Sequence, residues 1–314
     1  MAESKTVVLA ALFANAAIAV LKFVGFLLTQ SPAMLSETYH SISDTGNQVF
    51  LLIGLRYGKR KRTRAHPFGF GKAQFFYSFL VSVLLFGIAG WEALNHGYHA
   101  LVAHESVGLS GTVTVASYTF PAVWVNYAVL SAGIVFESYA LKKANDGMQA
   151  DIREHEWSGL LEAFKKTSNV TTLTAFTEDT IAVLGLALAL AGIFLTQYTG
   201  NPMFDAAAAM LIGILLMVFA VALAWENKRL LLGESLPLTE ENELREMISD
   251  NPGVVRIEDL RTVYFGPEHV IVVADVEFED GMDTDEIDYS ISTMEDELRA
   301  ANPSIKKVYI EPES

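Results

Sequence analysis

His40, Asp44 and Asn47 recur at i, i+4 and i+7 in the stretch LSETYHSISDTGNQVFLLIGL, residues 35–55. On a helix that spacing puts an imidazole, a carboxylate and an amide on one face. Glu37 lies one turn before them, and the C-terminal half of the stretch is apolar enough to belong to a membrane-spanning helix. An ionisable group at the centre of such a helix costs roughly 2.5–3.5 kcal/mol on insertion scales. A chain that places a histidine and an aspartate one turn apart there must gain from both, and a divalent cation is the ligand the two can share. A second acidic feature comes later, in VTTLTAFTEDTIAVLGLALALAG, where Glu178 and Asp179 are adjacent in another apolar segment. Asp179 is expected to point into the helical bundle. Glu178 lies about 100° round the helix, so one ion reaches both only if the helix is locally distorted.

The elements that must position these groups follow from composition. The chain has 314 residues, 51% of them apolar, which suits a multi-pass membrane protein carrying a smaller aqueous part. It has no cysteine, so any metal is held by oxygen and imidazole donors. Hydropathy predicts six spans near 6–28, 33–56, 73–95, 119–141, 168–195 and 203–225. Basic residues crowd the 57–72 and 142–166 connections, while 29–32, 96–118 and 196–202 contain none. That asymmetry predicts cytoplasmic termini and three outer loops, and a prokaryotic plasma membrane is the expected location. The N-terminus lacks the basic start of a secretory signal and is read as the beginning of the first span.

Smaller features fill in the bundle. Lys22 in the first span is expected to snorkel outward, and Asn15 to tie helices together. The basic run after the second span reads as a lipid-facing anchor, with His66-Pro67, Gly69 and Gly71 forming a turn. His96, His99 and His104 at an outer face are read first as solvated, with a secondary cation site as the alternative. Glu137, alone in the fourth span, either pairs with Lys142 or Lys143 or lines a vestibule. Asp205, in the first turn after Asn201-Pro202, is read as a cap or a charge at the outer mouth ahead of a transport ligand. The small residues Ala206–Ala209 and Gly213 predict close helix packing.

From Glu226 the composition turns soluble, and this segment, with eight basic and 23 acidic residues, carries the whole net charge of −15. Its pattern reads α-β-β-α-β, with Ile287, Ile291, Met294 and Leu298 on one helix face. A ferredoxin-like domain of that order is expected, and one so short commonly pairs with a copy of itself. The domain boundary is placed between residues 225 and 226. So acidic a domain argues against nucleic acid as a partner. No GxxxxGK[ST] loop occurs, which argues against a nucleotide-driven pump.

SETYHSISDTGNQ, HPFGFGK, EDTIAVLGLALALAG and NPMFDAAAAMLIG together resemble the cation diffusion facilitator family of metal transporters, and the resemblance extends over nearly the whole chain. It lies nearest to the branch containing the mitochondrial zinc transporter ZnT-nine. The resemblance implies a homodimer exporting a divalent cation from the cytoplasm in exchange for protons, with no permanently bound cofactor and no enzymatic step. It carries over His40 and Asp44 as one ligand pair and Asp179 as a third ligand. Many members have His or Asp four residues before that aspartate. Here Ala175 stands in that place, leaving Glu178, Asn47 or water as the fourth donor. Mixed nitrogen and oxygen ligation favours Zn²⁺, with Mn²⁺, Fe²⁺ and Co²⁺ as alternatives. The family's cytoplasmic metal sites are rich in histidine, whereas this chain has only His269, among Asp275, Glu277 and Glu279. A family interlock between a lysine and an acid maps by position to Lys72 and Glu234. The rival of another class is a membrane-anchored metal sensor that binds without transporting.

Overall fold

A computed structural model describes residues 2–103, 111–115, 118–154, 157–166, 170–267 and 269–313. His104 of the outer histidine group lies outside them. The chain divides into two compact units, one comprising residues 1–53 and 77–225, the other 54–76 and 226–314.

The first unit is helical. It contains α1 (Ala2–Thr29), α2 (Pro32–Gly58), α3 (Ala73–Val81), α4 (Gly87–Ala103), α5 (Val123–Glu154), α6 (Leu160–Lys166), α7 (Val170–Thr199) and α8 (Met203–Leu232), some of which run on into the other unit at their ends. A single π turn, Ser82–Phe86, joins α3 to α4 without interrupting the rod. Three stretches, Ala73–Val102, Ala175–Thr199 and Met203–Leu232, are long and apolar enough to cross a membrane. The unit is turned inside out relative to a water-soluble bundle. Phe13, Val135 and Val221 are 72%, 73% and 70% exposed, while Lys22, Glu37, His40 and Asp205 are buried. Hydrocarbon outside and polar side chains inside is the arrangement a bilayer selects.

Small residues bring the backbones together. A Cβ at Gly213 would stand 2.5 Å from Leu94 N and 2.8 Å from Gly90 O, so α4 and α8 cross with their backbones nearly touching. Gly192 brings α7 equally near α8, its Cβ position lying 2.5 Å from Ala208 Cβ. Leu130, Leu186, Ile193, Ile212, Leu216 and Phe219 fill the core between α5, α7 and α8. Two differences from the hydropathy pattern have simple causes. The α5 helix runs to Glu154, well past the end of the apolar segment, because LKKANDGMQADIRE favours helix in water as the apolar stretch does in lipid. In the 96–118 connection Thr112–Val115 forms β1, which pairs antiparallel with β2 (Tyr118–Pro121), as β-branched and aromatic residues favour. The charged segment before the fifth span becomes α6, whose start is held by Ser158 donating to Glu162.

The second unit is built on a three-stranded sheet ordered β3 (Val254–Gly266), β4 (His269–Phe278), β5 (Ile305–Glu313). The β3–β4 pairing is antiparallel and the β4–β5 pairing parallel. A parallel return needs a crossover, supplied by α10 (Thr284–Ala301). Val270, Val272, Ala274 and Val276, alternating along the central strand, are all buried. Met294 and Leu298 of α10 and Leu244 and Ile248 of α9 (Leu238–Ser249) are buried as well. Asp283 caps α10 by accepting from the Asp285 and Glu286 amides at 3.0 and 2.9 Å, and the Glu286 side chain accepts from Asp283 N.

The loop after α2 belongs to this unit. Gly71 lies against the Phe265 carbonyl so closely that any Cβ would collide with it, and the Phe68 ring packs at a tilt against that of Phe265. The basic residues 59–64 remain exposed. Lys72 does not meet Glu234, contrary to the positional expectation. Its ammonium donates to the Leu231 carbonyl at 3.2 Å, at the end of α8, while Glu234 pairs with Arg229. A lysine at a helix C-terminus is satisfied by the free carbonyls and the dipole there, and the guanidinium fork suits the carboxylate better.

Candidate metal centre

The α2 helix is polar on the side where soluble helices are apolar. Its hydroxyls are disposed of locally: Ser36, Thr38, Ser43 and Thr45 each donate to the carbonyl four residues back. Ile42 and Ile53 face outward, and that rotation turns His40, Asp44 and Asn47 into the bundle, 1%, 7% and 5% exposed.

The His40 Nε2 to Asp44 Oδ2 distance is 3.3 Å. Asn47 Nδ2 donates to Glu178 Oε2 of α7 at 2.7 Å, and Glu178 also comes within hydrogen-bonding reach of Asp44. Asp44 Oδ1 is buried with no hydrogen-bond partner among the described residues. On α7 itself Thr177 and Thr180 donate back along the helix. Two carboxylates held side by side in a dry interior repel unless a proton or a cation lies between them. The structure therefore joins His40, Asp44, Asn47 and Glu178. Asp179 sits on the adjoining strip of α7, half-buried, and Glu137 of α5 acts electrostatically on it as well as on Asp44 and Glu178. Among the described residues no three His, Asp or Glu side chains already stand in metal-binding geometry.

Two readings of single residues change, and a third narrows. Lys22 does not snorkel: it is 1% exposed, and its ammonium donates to Glu37 Oε2 at 2.9 Å and Ser41 Oγ at 2.7 Å. Asp205 caps a neighbouring helix rather than its own. It accepts from Ser31 Oγ at 3.0 Å and Ala33 N at 3.2 Å at the start of α2, while Asn201 Oδ1 takes the Met203 amide of α8. Glu137 joins the acidic group, for which its isolation in an apolar span was the available signal.

His269 opens β4 with its ring against Phe265, and among the described residues the charges that act on it are those of Arg62 and Lys306. Burial first, then these two cations, hold its pKa below the ordinary value of 6.5. The folded protein thus keeps His269 neutral at pH values where the unfolded chain has taken up the proton. Its contribution to stability is full above about 6.5 and declines as the pH falls toward the lower folded value. The unmutated chain should lose more thermal stability between pH of about 7.5 and about 5.5 than His269→Gln does. Equal losses in the two proteins would exclude this role.

Residues 8–232 match the cation efflux transmembrane domain, and residues 236–314 match the cation efflux protein cytoplasmic domain. The chain belongs to the cation efflux family. Among its relatives is the human mitochondrial proton-coupled zinc antiporter SLC30A9, 28% identical over 276 residues, covering 87% of this chain and 46% of that protein. Metal tolerance protein C4 of Arabidopsis thaliana is 26% identical over 281 residues, 88% of this chain and 57% of that one. The cation-efflux pump FieF of Serratia proteamaculans is 25% identical over 271 residues, 85% and 79% respectively. At this moderate identity the chain groups with the SLC30A9-like branch of the family. It spans about half the length of the first curated relatives it matches. Within this family the chain is an integral membrane protein with a sheet-containing cytoplasmic domain.

Proposed function

We propose that the chain is a secondary transporter, not an enzyme, that exports a divalent metal cation from the cytoplasm in exchange for protons. Zinc is the first choice of cargo, with manganese, iron and cobalt next. The observation that carries this reading is the buried His40–Asp44 pair met across the bundle by Glu178. In our reading Asp179 completes the oxygen donors when the cation draws α7 round, and Asn47 holds Glu178 in place. Metal and protons compete for the same lone pairs, because imidazole and carboxylate must be deprotonated to bind. An inward-open state would load the metal and release protons. An outward-open state would reverse the exchange, with the site reached from one side at a time.

The architecture proposed with it has six membrane-spanning helices within residues 1–225, both termini in the cytoplasm and a prokaryotic plasma membrane around it. Residues 226–314 form a ferredoxin-like domain that pairs two copies of the chain. The α-β-β-α-β order and the β3-β4-β5 sheet support that assignment. The test is metal flux in proteoliposomes, with a panel of divalent cations and an imposed pH gradient. Metal movement driven by the gradient and collapsed by a protonophore is expected. Metal binding without flux would put the membrane-anchored sensor in its place.

A further inference from the structure

Lys22 and Glu37 are 1% and 0% exposed and form an ion pair of 2.9 Å between α1 and α2. A simple tie between two helices does not explain this pair. Desolvating both charges is costly, and a neutral hydrogen-bonded pair would serve as well. Only one carboxylate oxygen is used. Glu37 Oε1 is buried with no hydrogen-bond partner among the described residues, pressed against Gly185 of α7 so closely that a Cβ there would collide with it. Glu37 also precedes His40 by three residues and Asp44 by seven, so it continues the same strip of α2 by one turn. The ammonium of Lys22 acts electrostatically on His40, Asp44 and Glu137.

We propose that Glu37 is a further cation-binding position on the ion's route, and that Lys22 is the tethered cation that occupies it when the metal is absent. This deepens the transport reading and rests on it. The flexible four-carbon stem lets the ammonium leave Glu37 while Ser41 still accepts from it. The arriving metal then has a carboxylate oxygen already bare. When the metal moves on, Lys22 returns, and no anion is left uncompensated in the dry interior.

The test is Zn²⁺ binding and flux by the full-length chain, comparing Lys22→Met with Glu37→Gln. Lys22→Met leaves an uncompensated carboxylate beside the site, so Zn²⁺ should bind about tenfold more tightly and turn over more slowly. Glu37→Gln leaves an uncompensated ammonium, so binding should weaken about tenfold. Lys22→Arg, which keeps the charge, should restore affinity toward that of the unmutated protein. Shifts in the same direction, or no shift in either variant, would overturn the proposal, because a purely structural tie moves yield and melting temperature but not affinity with opposite signs. If Lys22→Met does not fold, the double variant Lys22→Met/Glu37→Gln is compared with Glu37→Gln. Recovery of affinity supports the proposal and its absence overturns it. Asp44→Ala separates the two levels: undiminished Zn²⁺ binding there defeats the transport site itself. Lost binding there, without opposite shifts at Lys22 and Glu37, defeats only this inference.

Discussion

Asp44→Ala is expected to abolish metal-driven proton exchange and to weaken metal binding by at least about 100-fold, the upper end of what losing even a supporting partner of a ligand costs. Asp44 stands at the join of everything the site contains. It faces His40 at 3.3 Å on its own helix and meets Glu178 across the bundle. Its Oδ1 has no partner among the described residues. Removing it leaves the imidazole without the carboxylate it faces at 3.3 Å and frees Glu178 from α2 except through Asn47. Asp44→Asn preserves the shape and should lose nearly as much, which identifies charge as the cause rather than packing. Flux in vesicles and calorimetric titration of the purified chain give the two readouts. Undiminished counter-transport in Asp44→Ala would remove the site from α2 altogether. Glu178→Gln and Asp179→Asn then divide the contribution of α7. A greater loss at Glu178 would follow the contacts seen here, and a greater loss at Asp179 would mean that α7 turns when the metal binds.

The polar face of α2 was legible because it violates hydropathy at helical spacing. His40, Asp44 and Asn47 recur at i, i+4 and i+7 in a polar segment that runs directly into an apolar one, which puts them on one helix face, and that face is the buried one. The α10 helix was legible for the complementary reason, since Met294 and Leu298 stand at the spacing that water imposes and are buried with Ser290, while Ile287 and Ile291 on the same face are partly buried. Lys22 was not legible. Its partner is 15 residues away on another helix, and whether a lysine in an apolar helix reaches outward or inward depends on what the neighbouring helix offers. The same holds for Asp205, whose partners on Ser31 and Ala33 lie more than 170 residues earlier. For Glu178 and Asp179 the sequence shows that two acids share a depth but not which of them faces α2. A 100° step decides that, and helix rotation is set by packing contacts that leave little trace in hydropathy. The end of α5 was missed because hydropathy measures the thickness of the apolar slab, and a helix need not stop where the slab does.

Gly213→Leu should cost the protein more stability than any change at the site. The Cβ position of residue 213 lies 2.5 Å from Leu94 N, 2.8 Å from Gly90 O and 2.9 Å from Leu94 Cα, and all three are backbone atoms. A flexible side chain can move aside, but a helix backbone gives only by shifting the whole of α4 against α8. Gly90 faces the same crossing, with its own Cβ position 3.0 Å from Gly213 O, so neither helix has slack to offer. Overpacking a well-filled core costs about 1–3 kcal/mol. Here the loss should reach or exceed the upper end, because membrane helices associate through this close packing and have no hydrophobic effect between them to compensate. Gly213→Ala should show a smaller loss of the same kind. Gly87→Ala is the control: among the described residues its Cβ would meet nothing nearer than 3.7 Å, and alanine is the better helix former, so its melting temperature should hold or rise. Thermal unfolding of the purified variants in detergent reads all three. A Gly213→Leu protein that melts with the unmutated chain would mean that α4 and α8 do not cross at these glycines, and the packing that orients α8 beside α7 would have to be sought at Gly192 and Ala208 alone.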